Sequence, residues 1–338
     1  MLEHGGRLRE AAARWGIPLA DWLDLSTGIA PWSYPGRISE RAWQRLPEDD
    51  DGLEAAAGTY YGHPAPLPLP GSQAAIQMLP RLIPPCHAVL PLVPALAVMV
   101  APTYGEYAPA WRAAGHRVEE VASDDLERAA SAAGVVMLAN PNNPSGECLA
   151  RDRLHALALD CGRRGAWMII DEAFADAGNE QSLAELAGTE LPHLIVLRSL
   201  GKFFGLAGAR VGFLCAAPQI HQRLAAALGP WAVAHPSRLV ATQALADTAW
   251  QAAQRQRLAA ASARLRELLA RHGLGSNVGG QLFLHAVTPR AAALHEHLAH
   301  RAILVRLFAQ PAALRFGLPG GDAEWLRLER ALTDWSST

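Results

Sequence analysis

The segment SLGKFFGLAGARVGF, residues 199–213, decides both the fold and the chemistry expected of this chain. Lysine and arginine together number 30, yet Lys202 is the only lysine. Both side chains serve as surface cations, but only a lysine can lose its proton and react as a primary amine. Lys202 is therefore a candidate nucleophile, and the alternative is a lysine that remains on the surface by chance. Its neighbours favour the nucleophile. Ser199 can lie on the same side of a turn as Lys202, and Arg210 can reach back to the same site from the next strand.

Four apolar runs alternate with helical or turn-forming segments before residue 220. They are VVMLA (135–139), WMII (167–170), LIVL (194–197) and VGFLC (211–215). Such runs, separated by helical periodicity like that of residues 154–162, are typical of a mostly parallel sheet with helices on both faces. Polar residues follow the strand ends, where open sheets of this kind bind ligands. The expected fold class is therefore α/β.

The pattern changes after about Pro230 and predicts a second, smaller domain. A long helical segment covers about residues 238–272, short strands lie near 281–286 and 302–307, and a last helix starts near Asp322. We expect a smaller α+β C-terminal domain. The predicted boundaries are an N-terminal arm joining the small domain and the active site, a large ligand-binding domain and the small domain, at residues 1–30, 31–230 and 231–338.

Bulk properties exclude several classes of function. The formal net charge of the 338 residues is -2, so no basic field indicates nucleic acid binding. Prolines interrupt the uncharged stretch 88–105, and the first ten residues contain no apolar run, so neither a membrane helix nor a signal peptide is expected. The four cysteines lack metal-ligand spacing, which indicates reduced thiols, no metal site and a cytoplasmic protein.

Candidate ligand-binding residues follow the predicted strands. Gly71-Ser72-Gln73 opens a helical run whose backbone N–H groups can hold a phosphate, unless it is an ordinary helix cap. Tyr104 follows an apolar run. Its side chain either stacks on the ring of a bound ligand or only packs against other residues of the protein. Asn143 lies in the turn NPNNPSG, where prolines fix the backbone. Asp171 ends a buried strand, and a buried acid needs a cationic partner.

An amine, a buried acid, phosphate donors and an aromatic surface are what pyridoxal 5′-phosphate requires of a protein. The ordered motifs NPNNPSG, DEAF, SLGK and GLAGARVG resemble the class I and II aminotransferase family of fold-type I pyridoxal-phosphate enzymes. The resemblance covers nearly the whole chain. It implies the pyridoxal-phosphate-dependent transferase fold of type I and this cofactor.

The resemblance also implies residue roles. Lys202 bonds the cofactor, Asp171 faces its pyridine nitrogen and Tyr104 stacks on its ring, and these three are the expected catalytic residues. Tyr60, in TYYG, matches a tyrosine that such enzymes lend to the neighbouring subunit's phosphate, which implies a homodimer with shared active sites. The remaining expected cofactor contacts are Asn143 at the ring O3′ oxygen and Gly71, Ser72, Gln73, Ser199 and Arg210 at the phosphate.

Two positions depart from the family pattern. Phe174 stands where many relatives have a tyrosine whose hydroxyl also reaches O3′, so we expect Asn143 alone to act there. Gly201 stands where many relatives have serine or threonine, which removes one phosphate contact.

The C-terminal region offers two arginines for a substrate anion. Arg306 in ILVRLF and Arg315 in LRFGLP each lie at the end of an apolar run, and two guanidinium groups can bind a carboxylate in bidentate fashion. The alternative interpretation is that both are ordinary surface arginines. The family resemblance places carboxylate-binding arginines at both positions.

Other segments narrow the resemblance within the family. The opening His4-Gly5-Gly6, the segment DLSTGIAP and the stretch 229–231 (GPW) are similar to the L-threonine-O-3-phosphate decarboxylases of cobalamin biosynthesis. The expected substrate is a small phosphorylated amino acid. An aminotransferase, such as one for histidinol phosphate, and a non-catalytic regulator on this fold are the alternatives. The expected substrate-binding residues are His4, Gly5, Gly6, Asn143, Arg306 and Arg315.

Overall fold

The computed structural model describes residues 4–83, 95–178, 181–275 and 280–336. Cys86 and residues 88–94 of the uncharged stretch lie outside the described residues. The chain forms two compact units: unit 1 comprises residues 1–33, 144–147 and 252–338, and unit 2 comprises residues 34–143 and 148–251.

Unit 2 is built on a sheet flanked by helices. Its strands are β2 (Leu67–Leu69), β3 (Leu96–Val100), β4 (Arg117–Val121), β5 (Val135–Ala139), β6 (Trp167–Asp171), β7 (Leu194–Ser199) and β8 (Gly212–Cys215), in the spatial order β2-β8-β7-β6-β5-β3-β4. Its helices are α2 (Leu53–Tyr61), α3 (Ser72–Leu82), α4 (Tyr107–Ala113), α5 (Leu126–Ala130), α6 (Arg151–Arg163), α7 (Pro218–Leu228) and α8 (His235–Ala246).

Strands β3 to β7 run parallel, and β8 is antiparallel to both of its neighbours. Every residue of β5, β6 and β7 is buried, which explains their continuous apolar sequences, because helices cover both faces of such a sheet. The edge strand β4 instead exposes charged side chains, as edge strands commonly do. The predicted α/β fold with a largely parallel sheet is confirmed.

Unit 1 has a smaller mixed sheet. Its strands are β1 (Leu23–Leu25), β9 (Phe283–Val287), β10 (Ile303–Phe308) and β11 (Ala313–Gly317), in the order β1-β10-β11-β9. Its helices are α1 (Leu8–Trp15), most of α9 (Thr248–Arg271), α10 (Ala291–Ala299) and α11 (Asp322–Ser336). Strand β1 is parallel to β10, whereas β9, β11 and β10 are antiparallel. Residues near the N-terminus therefore add a strand to the C-terminal sheet.

The N-terminal segment also contributes to the core of unit 1. Ala11 and Trp22 are buried in one cluster with Ala299 and Leu304, and Leu8 and Trp15 are among the residues that pack against it. Burial of this apolar face ties the segment to the sheet that it extends.

The observed division differs from the expected one at residues 230–231. Helices α7 and α8 both belong to unit 2, and the division falls after Gln251. The single helix expected over 238–272 is two helices, separated at Asp247. The Asp247 carboxylate accepts a hydrogen bond from the backbone N–H of Trp250 (2.9 Å), so it caps α9 and stops the two helices from merging.

None of the described helices combines the length and apolarity needed to cross a bilayer. Among the described cysteines, Cys161 and Cys215 are buried, and Cys148 is exposed.

Candidate active site

The expected cofactor residues of unit 2 collect at the carboxyl ends of its parallel strands. Asp171 is the last residue of β6 and lies in register with Ala139 at the end of β5 and with Leu197 of β7. Ser199 ends β7, and Lys202 lies in the turn that leads toward β8. Parallel strands bring these positions to one sheet edge, which is where ligands bind in this architecture.

Asp171 is a buried carboxylate with two protein donors. Its Oδ2 accepts a hydrogen bond from the Tyr107 hydroxyl (2.8 Å), and its Oδ1 accepts one from the Ala173 N–H (2.9 Å). Burial raises the pKa of Asp171 above its usual value, although both donors and the charge of Lys202 oppose the rise. A cation against this carboxylate would favour its ionised form.

Lys202 lies near both Asp171 and the aromatic ring of Phe174. Its Nζ is 5.3 Å from the centre of the Phe174 ring, and its charge acts on the Asp171 carboxyl. Phe174 is buried and offers an apolar face where a tyrosine would offer a hydroxyl. The chain's only lysine is therefore half-buried at the strand ends rather than on a solvated face.

Tyr104 is held in place by a short hydrogen-bond chain. Its hydroxyl donates to Gln73 Oε1 (3.1 Å), and Gln73 Nε2 donates to Glu106 Oε2 (3.4 Å). Gln77 donates to the same oxygen (3.2 Å), and the Tyr107 ring packs edge-on at 5.5 Å. The side chain of Gln73 thus orients Tyr104, so any contact of Gln73 with a phosphate falls to its backbone N–H.

The start of α3 meets Arg210 in a crowded cradle. Gly71 has a φ of 79°, and a Cβ there would lie 2.6 Å from Arg210 Nη2. A Cβ on Gly212 would lie 2.6 Å from the backbone N of Ser72. Both glycines therefore let the guanidinium and the helix N-terminus come close, and that pair of donors suits a phosphate.

Ser199 and Gly201 lie next to this cradle, since Ser199 is the register partner of Gly212. The Gly201 N–H donates to Ser199 Oγ (3.3 Å). A Cβ on Gly201 would lie 3.3 Å from the Cα of Ala207, tighter than ordinary contact. A side chain at position 201 would therefore require the backbone of Ala207 to shift by a few tenths of an ångström.

Two asparagines fix the loop that carries Asn143. Asn140 accepts from the Leu149 N–H (2.8 Å) and donates to the Leu149 carbonyl (3.3 Å). Asn142 donates to the Pro102 carbonyl (2.9 Å) and accepts from the Thr103 hydroxyl (3.1 Å). The loop is thus held on both sides of the position whose side chain is expected at the cofactor.

Arg198 belongs to a buried charged group next to the end of β7. It is buried, hydrogen-bonds Glu172 and Asp176, and lies 4.6 Å from the centre of the Tyr61 ring. Both carboxylates are buried with the guanidinium, so removing Arg198 would leave buried charges without compensation, which is costly. The ring of Tyr60 packs against two other rings. Its centre lies 4.9 Å from the centre of the Tyr61 ring and 5.7 Å from that of Phe204, which follows Lys202 by two residues.

Four supporting residues are not predicted from the sequence: Tyr107, Asn140, Asn142 and Arg198. Only Arg198 left a signal, since an arginine inside an apolar strand beside a DE pair needs a buried counter-charge. The others are recognised only by their partners. Within the described ranges, no group of three His, Cys, Asp or Glu side chains is arranged to hold a metal ion.

In unit 1, Arg306 and Arg315 are direct neighbours on β10 and β11. Arg315 is buried and donates from Nη2 to the Ser26 carbonyl (2.8 Å). Burial, followed by the charge of Arg306, lowers the pKa of Arg315 to about 9, while Asp24 opposes the shift. An added anion would relieve the cost of keeping these two cations together.

The N-terminal residues converge on the same part of unit 1. His4, Gly5 and Ser26 line a cavity of about 180 Å³ together with Arg306. The Gly6 N–H donates to Ser26 Oγ (2.7 Å), and a Cβ on Gly5 would lie 2.3 Å from the Ser26 carbonyl oxygen. The structure therefore brings His4, Gly5 and Arg306 to one cavity and connects Gly6 and Arg315 to it through Ser26.

Known proteins share this arrangement of sequence and fold. The family model for aminotransferases of class I and II matches residues 47–334. The chain belongs to the class I and II aminotransferase family. The resemblance drawn from the four motifs is thereby confirmed.

Two relatives in sequence and one solved structure illustrate the likeness. The threonine-phosphate decarboxylase of Pseudomonas aeruginosa is 53% identical over 98% of this chain and 97% of its own length. The threonine-phosphate decarboxylase of a Sinorhizobium species is 43% identical over 97% of each chain. The crystal structure of histidinol-phosphate aminotransferase from Sinorhizobium meliloti, in complex with pyridoxal-5′-phosphate, superposes with a TM-score of 0.81 at 19% identity, over 100% of this chain and 98% of that one.

Proposed function

We propose that this chain is a pyridoxal-phosphate-dependent decarboxylase of L-threonine O-3-phosphate. The products are carbon dioxide and (R)-1-aminopropan-2-yl phosphate, the linker fragment in cobalamin biosynthesis. The observation that carries the proposal is the likeness over almost the full length to two threonine-phosphate decarboxylases, one of them 53% identical.

The residues of unit 2 fit pyridoxal phosphate. The buried Asp171 carboxyl, with its raised pKa, is suited to a protonated pyridine nitrogen, and the cradle of Gly71, Ser72 and Arg210 is suited to a phosphate. Lys202 supplies the amine that bonds the cofactor, and Tyr104 supplies the stacking face. When bound, the cofactor supplies an electron sink that weakens the bonds at the substrate Cα.

The chain's own residues select which of those bonds breaks. We assign to Arg306 and Arg315 the binding of a substrate anion, since two guanidinium groups fix a carboxylate or a phosphate in one orientation. Loss of the carboxylate as carbon dioxide leaves its electron pair at Cα, and a proton must replace it there. Lys202, as an ammonium group, is the donor that we assign to this step.

We further propose a cytoplasmic homodimer in which Tyr60 contributes to the partner's phosphate site. The TYYG motif and the family membership support it. Light scattering of the purified protein should give twice the chain mass of 36.1 kDa. A monomeric enzyme with full activity would contradict this part of the proposal.

The reaction is tested with the holoenzyme and L-threonine O-3-phosphate in the absence of any 2-oxo acid. We expect carbon dioxide and the amino-alcohol phosphate in equal amounts, and no turnover by the Lys202→Ala variant. Activity that requires 2-oxoglutarate, with histidinol phosphate as amino donor, would instead establish the aminotransferase alternative.

A further inference from the structure

His285 lies beside the arginine pair of unit 1. It is the register partner of Arg315 on β9, and Arg315 is the register partner of Arg306 on β10. Residues directly opposite one another in antiparallel strands project from the same face of the sheet. One face of unit 1 therefore carries a row of three nitrogen-bearing side chains, one from each of three adjacent strands.

The His285 imidazole is buried and has an unused polar atom. The residue is 8% exposed, and its Nε2 has no hydrogen-bond partner among the described residues. Buried side-chain nitrogens in proteins nearly always have a partner. An atom of this kind beside two cations indicates a ligand group as its partner.

The surroundings of the row favour an anion. Phe308 lies edge-on to the His285 ring at 5.7 Å and 5.1 Å from the Arg306 guanidinium, and Phe283 lies 5.0 Å from the Arg315 guanidinium. The acid that acts on Arg315 is Asp24, whose Oδ1 already accepts hydrogen bonds from the Ser26 N–H (2.9 Å) and hydroxyl (2.6 Å). Positive charge thus exceeds negative charge on this apolar-walled face.

A neutral imidazole suits this position better than a third cation would. Burial and the charge of Arg315 both lower the pKa of His285 below its usual value, so the ring is uncharged at neutral pH. A neutral imidazole with its proton on Nε2 still donates one hydrogen bond to an oxyanion. It therefore adds a directed donor without adding repulsion between cations.

We propose that His285 is a substrate-binding residue that donates its Nε2–H to the oxyanion held by Arg315 and Arg306. The inference rests on the proposed function in taking a phosphorylated amino acid as the substrate. That substrate carries two oxyanions, a carboxylate and a phosphate, and the experiment below distinguishes them. A residue at this position can set specificity because its donor is fixed on a strand.

The test uses two polar variants of similar volume in the holoenzyme. His285→Gln places an amide N–H near the position of Nε2, and His285→Asn places it near Nδ1. We expect His285→Asn to raise the KM for L-threonine O-3-phosphate about tenfold, equivalent to about 1.4 kcal/mol, with little change in kcat, and His285→Gln to restore most of the loss. His300→Leu, at an exposed position of unit 1, is the matched control and should change nothing.

Two competitive ligands identify the oxyanion. L-threonine carries only the carboxylate, and 1-aminopropan-2-yl phosphate carries only the phosphate. A carboxylate contact weakens binding of L-threonine alone to His285→Asn, whereas a phosphate contact weakens binding of the amino-alcohol phosphate alone. Unchanged affinities for both ligands, or equal losses in the Gln and Asn variants, would overturn the proposal. Because these affinities are measured at equilibrium, they are interpretable even if the unaltered enzyme proves to be an aminotransferase.

Discussion

The Tyr107 hydroxyl donates to Asp171 Oδ2 at 2.8 Å, and both residues are buried. The tyrosine proton and the Ala173 N–H together hold the carboxylate in one orientation. Burial and the neighbouring carboxylate raise the pKa of Tyr107 well above its usual value. The hydroxyl therefore stays protonated and remains a hydrogen-bond donor. Tyr107 is therefore a positioning residue for the acid that we assign to the cofactor nitrogen.

Tyr107→Phe should weaken cofactor binding through Asp171. Removing a donor to the carboxylate raises the pKa of Asp171 further and disfavours the ionised form that a pyridinium needs. A hydrogen bond to a charged group contributes about 1.5–3 kcal/mol, so we expect roughly a 10–100-fold rise in the dissociation constant of pyridoxal phosphate. Titration of the apoenzyme, followed by the visible absorbance of the bound cofactor, measures it.

Tyr34→Phe is the control for this change, because its hydroxyl donates to Asp247 at 3.4 Å on a different part of unit 2. An equal loss of cofactor affinity in both variants would show that Tyr107 acts only through general stability.

Asp171→Asn should stabilise the apoenzyme while impairing the holoenzyme. The folded-state pKa of Asp171 is raised, so burying the ionised carboxylate costs free energy above that pKa, and the cost disappears below the usual pKa of about 3.9. Without cofactor, we expect the variant to melt at a higher temperature than the unaltered protein at pH 7, with the difference shrinking toward pH 4. A difference that grows on acidification would contradict the assigned direction of the pKa shift.

The candidate cofactor residues are easier to propose from the sequence than the residues that support them. Lys202 was recognisable because it is the only lysine, and Asp171 because an acid that ends a buried strand needs a partner. Tyr107 gave no signal, since a tyrosine three residues after Tyr104 equally fits plain packing. His285 gained meaning only through the register of β9 with β11, which pairs it with Arg315.

The two compact units divide at a different place from the predicted boundary for a related reason. Helical periodicity runs through residues 238–272 almost without interruption, and a single capping carboxylate at Asp247 divides it. Similarly, strand β1 joins the C-terminal sheet by pairing Leu23–Leu25 with residues 280 positions later in the chain. Local patterns do not encode contacts of that separation.

Gly71→Ala should disrupt the phosphate cradle. The φ of 79° strains any residue with a Cβ, and that Cβ would displace the Arg210 guanidinium, which lies 2.6 Å from its position. We expect at least about a tenfold loss of pyridoxal-phosphate affinity, since a guanidinium–phosphate contact is charge-assisted.

Gly208→Ala provides a matched control in the same region of the chain, residues 199–213, because a Cβ there would have no atom within 4 Å. Cofactor affinity should be unchanged in this variant. Equal affinities of the two alanine variants for pyridoxal phosphate would exclude the cradle as the phosphate site.

Arg315→Met should strongly weaken anion binding by unit 1 without unfolding it. The buried guanidinium lies beside Arg306, and burial together with this second cation lowers its pKa. A buried charge replaced by an apolar side chain of similar length often leaves stability unchanged or raised. We expect a KM for L-threonine O-3-phosphate at least about 100-fold higher, because a bidentate charged contact is lost.

The melting temperature of the unaltered holoenzyme should rise with added 1-aminopropan-2-yl phosphate or L-threonine, whichever carries the bound oxyanion, and neither should shift that of the variant. A substantial shift retained by Arg315→Met would mean that the oxyanion binds elsewhere.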